Sequence, residues 1–132
     1  MTTMKMLATT LLGLLVGAAS APVWAGANDY AFEPVANEVR NATGTEIAVR
    51  LIHKPTGKRV EGAVVTPTRL DMSPGNMESM TAEVSPLSSK EPGVYKFRAN
   101  FTMAGSWALK LKAKVHGEAE DVQGTVVFTT KD

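Results

Sequence analysis

From Thr45 onward, apolar and polar residues alternate with a period of two, and glycine and proline mark the breaks. "TEIAVRLIH" puts Ile47, Val49, Leu51 and His53 on one face and Glu46, Ala48, Arg50 and Ile52 on the other. That strand ends at "KPTG", a turn carrying Pro55 and Gly57. "AVVTPTRLDM" reads as a weaker strand, because Pro67 cannot donate to a ladder and points to an edge position. "VYKFRANFTM" sets Tyr95, Phe97, Ala99, Phe101 and Met103 against Lys96, Arg98, Asn100 and Thr102. In "AGSWALKLKAKVHG", Trp107, Leu109, Leu111, Ala113 and Val115 face inward and Lys110, Lys112 and Lys114 outward. "DVQGTVVFTT" supplies a last strand, and "YAFEPVANEVRNATG" an edge strand ahead of the first clear one. Short strands spaced by turn signals, with no sustained helical period, predict an all-β fold: an immunoglobulin-like antiparallel β-sandwich of about seven strands.

The chain opens with one cation, Lys5, an apolar run from Met6 to Ala19 and a small-residue end, the layout of a secretory signal. Cleavage is expected after Ala25, leaving residues 26–132 as one domain in the periplasm with no membrane insertion. Loss of Lys5 takes the formal net charge from +1 to zero, so bulk charge recruits neither nucleic acid nor anionic lipid. With no cysteine in the chain, disulfides and thiolate metal sites are both excluded.

Strand order gives the two ends of the molecule a chemical character. If successive strands run antiparallel with one strand near 82–87 between them, strands 64–72 and 94–103 finish at the same end, where strand 107–115 begins. Met72, Met77, Met80, Met103 and Trp107 gather there, and three of these methionines lie in "LDMSPGNMESM". Thioether sulfur is a soft, uncharged donor suited to Cu(I), and it has no proton to lose. Met72, Met77, Met80 and Met103 are thus the candidate metal ligands, with Cu(I) as the cofactor. The competing reading has Met103 closing the core, Met72 plugging the end of the sandwich and the loop methionines forming a soft contact surface. His53 and His116 fall together at the opposite end, as surface residues or as a second site. Arg98 and Lys96 with Lys110, Lys112 and Lys114 are expected to form one outward basic face. There is no Ser-His-Asp set and no glycine-rich phosphate loop, so no enzymatic activity is expected.

"EPGVYKFRANFTMAGSWALKLKAKV", residues 91 to 115, resembles the core of the YtkA/FixH-like family of exported bacterial β-sandwich domains. The carrying features are a Gly-x-Tyr strand, a turn of the form f-x-M-x-G-x-W and an alternating strand, most specific from Gly93 to Leu111. The resemblance implies copper handling, or an accessory role in cation-pump or heavy-metal efflux systems. Many such domains carry a Met-Pro-x-Met-x-His loop where this chain has "MSPGNMESM". Carried over, Met72 takes the first methionine, Pro74 the proline after a one-residue insertion, and Met77 the second methionine. The histidine position falls on Ser79 or Met80, leaving Met80 as the soft substitute. The partner implied is a membrane transporter or an efflux or oxidase assembly component. The alternative is a metal-free adaptor that binds a membrane complex through its methionine end and basic face.

Overall fold

The computed structural model describes residues 27–132, and the expected signal segment 1–25 lies outside the described residues. Ten strands follow a short 3-10 turn: β1 Tyr30–Pro34, β2 Glu38–Arg40, β3 Thr45–His53, β4 Lys58–Arg59 and β5 Val64–Met72, then β6 Met77–Thr81, β7 Glu83–Leu87, β8 Val94–Asn100, β9 Gly105–Lys114 and β10 Val122–Lys131. One sheet has the order β1-β3-β8-β7, with β4 added to β3, and the other runs β2-β10-β9-β5-β6. All pairings are antiparallel except β2 with β10. Among the described residues no helix is long and apolar enough to cross a membrane.

The two sheets stack through the inward positions that the alternation marks. Ile47, Val49, Phe97, Ala99, Trp107, Leu109, Leu111, Val126 and Phe128 form the main core. Leu51, Ala113, Val115 and Val122 extend it toward the end that carries His53. Each fully buried Leu, Ile or Phe adds roughly 1.5–3 kcal/mol relative to exposure. Close packing shows at Gly124, where an added Cβ would come within 2.6 Å of the Phe32 ring, so only glycine lets β1 settle onto β10.

Two expectations are corrected. Strand β8 stops at Asn100, so Met103 neither continues the inward row nor closes the core. Phe101 takes the last buried place, and Met103 sits in the turn before Gly105 with 37% of its surface exposed. The five basic residues also do not share a face. Lys96 and Arg98 project from β8 in one sheet and Lys110, Lys112 and Lys114 from β9 in the other, so they point from opposite sides of the sandwich. Alternation separates in from out but carries no information on which sheet a strand joins.

Candidate functional site: the methionine end

A bulge decides where the methionines go. The ladder between β5 and β9 pairs Pro67 with Leu111 and Arg69 with Lys110, leaving Thr68 as an extra residue. Pro67 has no N–H to lose there, and the extra residue shifts the parity of all that follows. Leu70 and Met72 therefore turn into the core at 1% and 2% exposure, while Arg69 and Asp71 turn to the outer face. Without the bulge the strand would present Met72 to solvent.

Met72 fills the end of the sandwich, as the core-plugging reading required. Its Cε would lie 2.6 Å from a Cβ placed on Gly105, whose φ of 143° also favours glycine. After it, Ser73–Gly75 makes a 3-10 turn, closed by Asn76 in the left-handed conformation at φ 61° with its N–H on the Ser73 carbonyl at 2.9 Å. The chain then returns as β6 and places Met77 directly opposite Met72. The next paired position is Thr81 opposite Asp71, so Glu78, Ser79 and Met80 form a wide bulge on the sheet edge. Met77 and Met80 are 39% and 38% exposed. Met103 is two residues from Gly105, the residue that the Met72 methyl touches, and its carbonyl accepts from Trp107 Nε1 at 3.1 Å and Thr130 Oγ1 at 2.9 Å. The fold thus gathers Met72, Met77 and the Met103 turn at one end, with Met80 a few residues further along the edge. Met72 lines the interior, and the other three methionines are partly exposed.

Sequence reasoning missed the residue that holds this loop down. Asp71 is fully buried, and its carboxylate accepts from the Ser73 N–H at 3.0 Å, from Arg69 Nε, and from Lys110 Nζ at 3.3 Å. Arg69 also donates through Nη2 to the Glu78 carbonyl, so one carboxylate ties both sides of the methionine loop. Desolvation alone would raise the Asp71 pKa, but the bonds from Ser73, Arg69 and Lys110 outweigh it and hold the carboxyl well below the usual range. The signal was present in the sequence as the D-x-S of an Asx turn.

The histidines do lie at the opposite end, since β3 finishes at His53 and β9 ends at Lys114, two residues before His116. His53 Nδ1 is 2.8 Å from Thr56 Oγ1, and its ring sits against Tyr30 at 5.2 Å. Tyr30 donates to Glu118 Oε2 at 2.5 Å, and desolvation followed by that carboxylate pushes the phenol up to about 12. His116 is exposed. Among the described residues no group of three or more His, Cys, Asp or Glu side chains is placed to hold a metal, so a metal at either end would depend on other donors. The methionine end offers thioethers, a donor set that fits a soft ion and suits Mg²⁺ and Ca²⁺ poorly.

A family model described as YtkA-like matches residues 25–112, two thirds of the chain, from before β1 to Lys112 in β9. The chain belongs to the YtkA-like family. The match takes in residues 91–112 of the 91–115 stretch that carries the resemblance, including its most specific part from Gly93 to Leu111, and reaches back through the methionine loop. A comparison with curated proteins finds no match. Among solved structures, this YtkA-like chain is similar to FdeC, an Escherichia coli adhesin, at 18% identity and a TM-score of 0.39. The alignment covers 86% of this chain and 34% of FdeC, so the chain spans about a third of that protein's length.

Proposed function

We propose that this YtkA-like protein is an exported, non-enzymatic metal-handling protein that takes Cu(I) at its methionine end and works beside a membrane transport or efflux assembly. The observation that carries this reading is the exposure of Met77, Met80 and Met103, 37–39% each, beside core residues such as Leu109 and Phe128 at 0%. Core methionines are fixed by packing, whereas these three keep the freedom to aim a sulfur lone pair. Met77, Met80 and Met103 would hold the ion, and Met72 would supply an apolar floor beneath them. Bound Cu(I) would supply soft-ion exchange chemistry, and the protein's own part is to hold both sides of the methionine loop through Asp71 and Arg69. The missing histidine suits a site that binds without releasing a proton, in acidic as in neutral surroundings.

The full burial of Met72 leaves three available donors in place of four, and that favours a second reading: the metal-free adaptor, in which the same methionines form a deformable contact surface. Competition with a Cu(I)-specific chromophoric chelator under reducing conditions separates the two. The parent should withdraw Cu(I) from the chelator, and a Met77/Met80/Met103→Leu variant of equal stability should not. Equal competition by both would reject the copper site and leave the adaptor.

A further inference from the structure

The two outer faces of the sandwich differ in charge, although the domain as a whole is balanced. On the β1-β3-β8-β7 face, Glu33, Glu46 and Glu83 are interspersed with Arg50, Lys96 and Arg98. On the two middle strands of the other face, β5 and β9, Arg69, Lys110, Lys112 and Lys114 stand with one acid, Asp71, which is buried and already bonded to Arg69 and Lys110. Glu78 lies beyond Arg69 on the edge strand, and Lys131 at the far rim pairs with Glu38 at 3.1 Å. Lys112 and Lys114 are exposed, and among the described residues neither has an ion-pair partner.

The centre of this face is not flat. Beside the bulge at Thr68, a depression of about 200 Å³ opens among Thr68, Lys110, Lys112, Gln123 and Thr125. Lys110 Nζ is already held by Asp71, and the Thr68 hydroxyl donates to the Lys110 carbonyl. The donors the rim offers are therefore the Lys112 ammonium, the Gln123 amide and the Thr125 hydroxyl, with no carboxylate among the lining residues, which is chemistry that takes up a phosphate ester. Val64, opposite Lys114, and Val127, opposite Ala108, flank the row at 63% and 46% exposure. The three lysines repeat at every second residue along about 13 Å of strand.

We infer that this face docks on the surface of an anionic bilayer, with a phospholipid headgroup phosphate taken by Lys112, Gln123 and Thr125 in the depression beside Thr68. Charge complementarity selects an anionic counter-surface. The exposed valines and the aliphatic stems of the lysines select a bilayer over an acidic protein, because they can settle at the headgroup boundary while the ammonium groups stay wet. This binding requires no metal.

The test is sedimentation with vesicles of equal parts phosphatidylglycerol and phosphatidylcholine, against phosphatidylcholine alone, using residues 26–132, which contain the whole core. The parent should partition at least about tenfold more strongly onto the anionic vesicles at low salt and detach at about 0.5 M salt, where screening is short-ranged. Lys112→Glu/Lys114→Glu, which breaks no ion pair, should lose that tenfold preference. The charge-matched Lys58→Glu/Lys90→Glu, placed off this face, should keep it. A parent with no preference for anionic vesicles overturns the inference and leaves an acidic protein as the counter-surface. Binding that survives Lys112→Glu/Lys114→Glu overturns it too.

Discussion

Replacing Asp71 with asparagine removes one negative charge from a fully buried position and leaves most of the geometry intact. Asparagine keeps an oxygen for the Ser73 N–H but offers Arg69 and Lys110 an uncharged amide in place of a carboxylate. Breaking a fully buried pair costs about 3–5 kcal/mol. Here the Arg69 and Lys110 side chains are 45% and 41% exposed, so both recover water when the partner is lost. The expected cost is therefore about 2–3 kcal/mol, or a fall of about 1–2 M in the urea midpoint at pH 7. The pH dependence follows from the lowered pKa of Asp71 in the fold. Its stabilisation is complete above the unfolded value near 3.9. It falls by about 1.4 kcal/mol per pH unit below that value and is lost once the pH passes the folded value. Urea melts of the parent and Asp71→Asn at pH 7, 4 and 3, followed by circular dichroism, should show a gap that narrows by about 1 kcal/mol from pH 7 to pH 3. Midpoints within about 0.2 M at pH 7, or a gap that stays constant with pH, would refute the assigned role of the carboxylate.

Trp107→Ala should cost about 3–5 kcal/mol, since the ring is fully buried 5.5 Å from Phe101, while the Met103 carbonyl keeps its Thr130 bond; an unchanged denaturant midpoint would contradict the packing. Gly124→Ala should destabilise by about 1–3 kcal/mol by pressing a methyl into Phe32, and relief by Phe32→Leu in a double-mutant cycle would locate the clash. Because Tyr30 is pushed up to about 12 from 10.0, its share of stability is complete below pH 10 and lost as the pH rises from there through 12; Tyr30→Phe should flatten that decline in alkaline melts.

Much of this fold was legible because alternation reports burial directly. Tyr95 to Phe101 and Trp107 to Val115 gave the inward rows of the two central strands, and strand count alone sent the histidines and methionines to opposite ends. What alternation could not carry were events that break parity or choose partners. The bulge at Thr68 converts Met72 from an outward to an inward residue, and it depends on tertiary pairing with Leu111 and Lys110. The turn before Gly105, at φ 143°, begins at Phe101 and not after Met103, because the alternation of Phe101 and Met103 prolongs the strand pattern past its true end at Asn100. The separation of Lys96 and Arg98 from the β9 lysines is a matter of sheet membership. Asp71 was hidden because a charged residue at the end of a strand ordinarily faces water, and only Arg69, Lys110 and the Ser73 turn make its burial tolerable.

The copper reading stands or falls on which methionine methyl groups sense the ion. With ¹³C-methyl-labelled methionine in residues 26–132, four signals are expected, from Met72, Met77, Met80 and Met103. Titration with Cu(I) under reducing conditions should move the Met77, Met80 and Met103 methyls together and saturate at one equivalent, with Met72 responding less. Met77, Met80 and Met103 methyl signals that stay in place through several equivalents of Cu(I), or a response confined to Met72, would contradict the account.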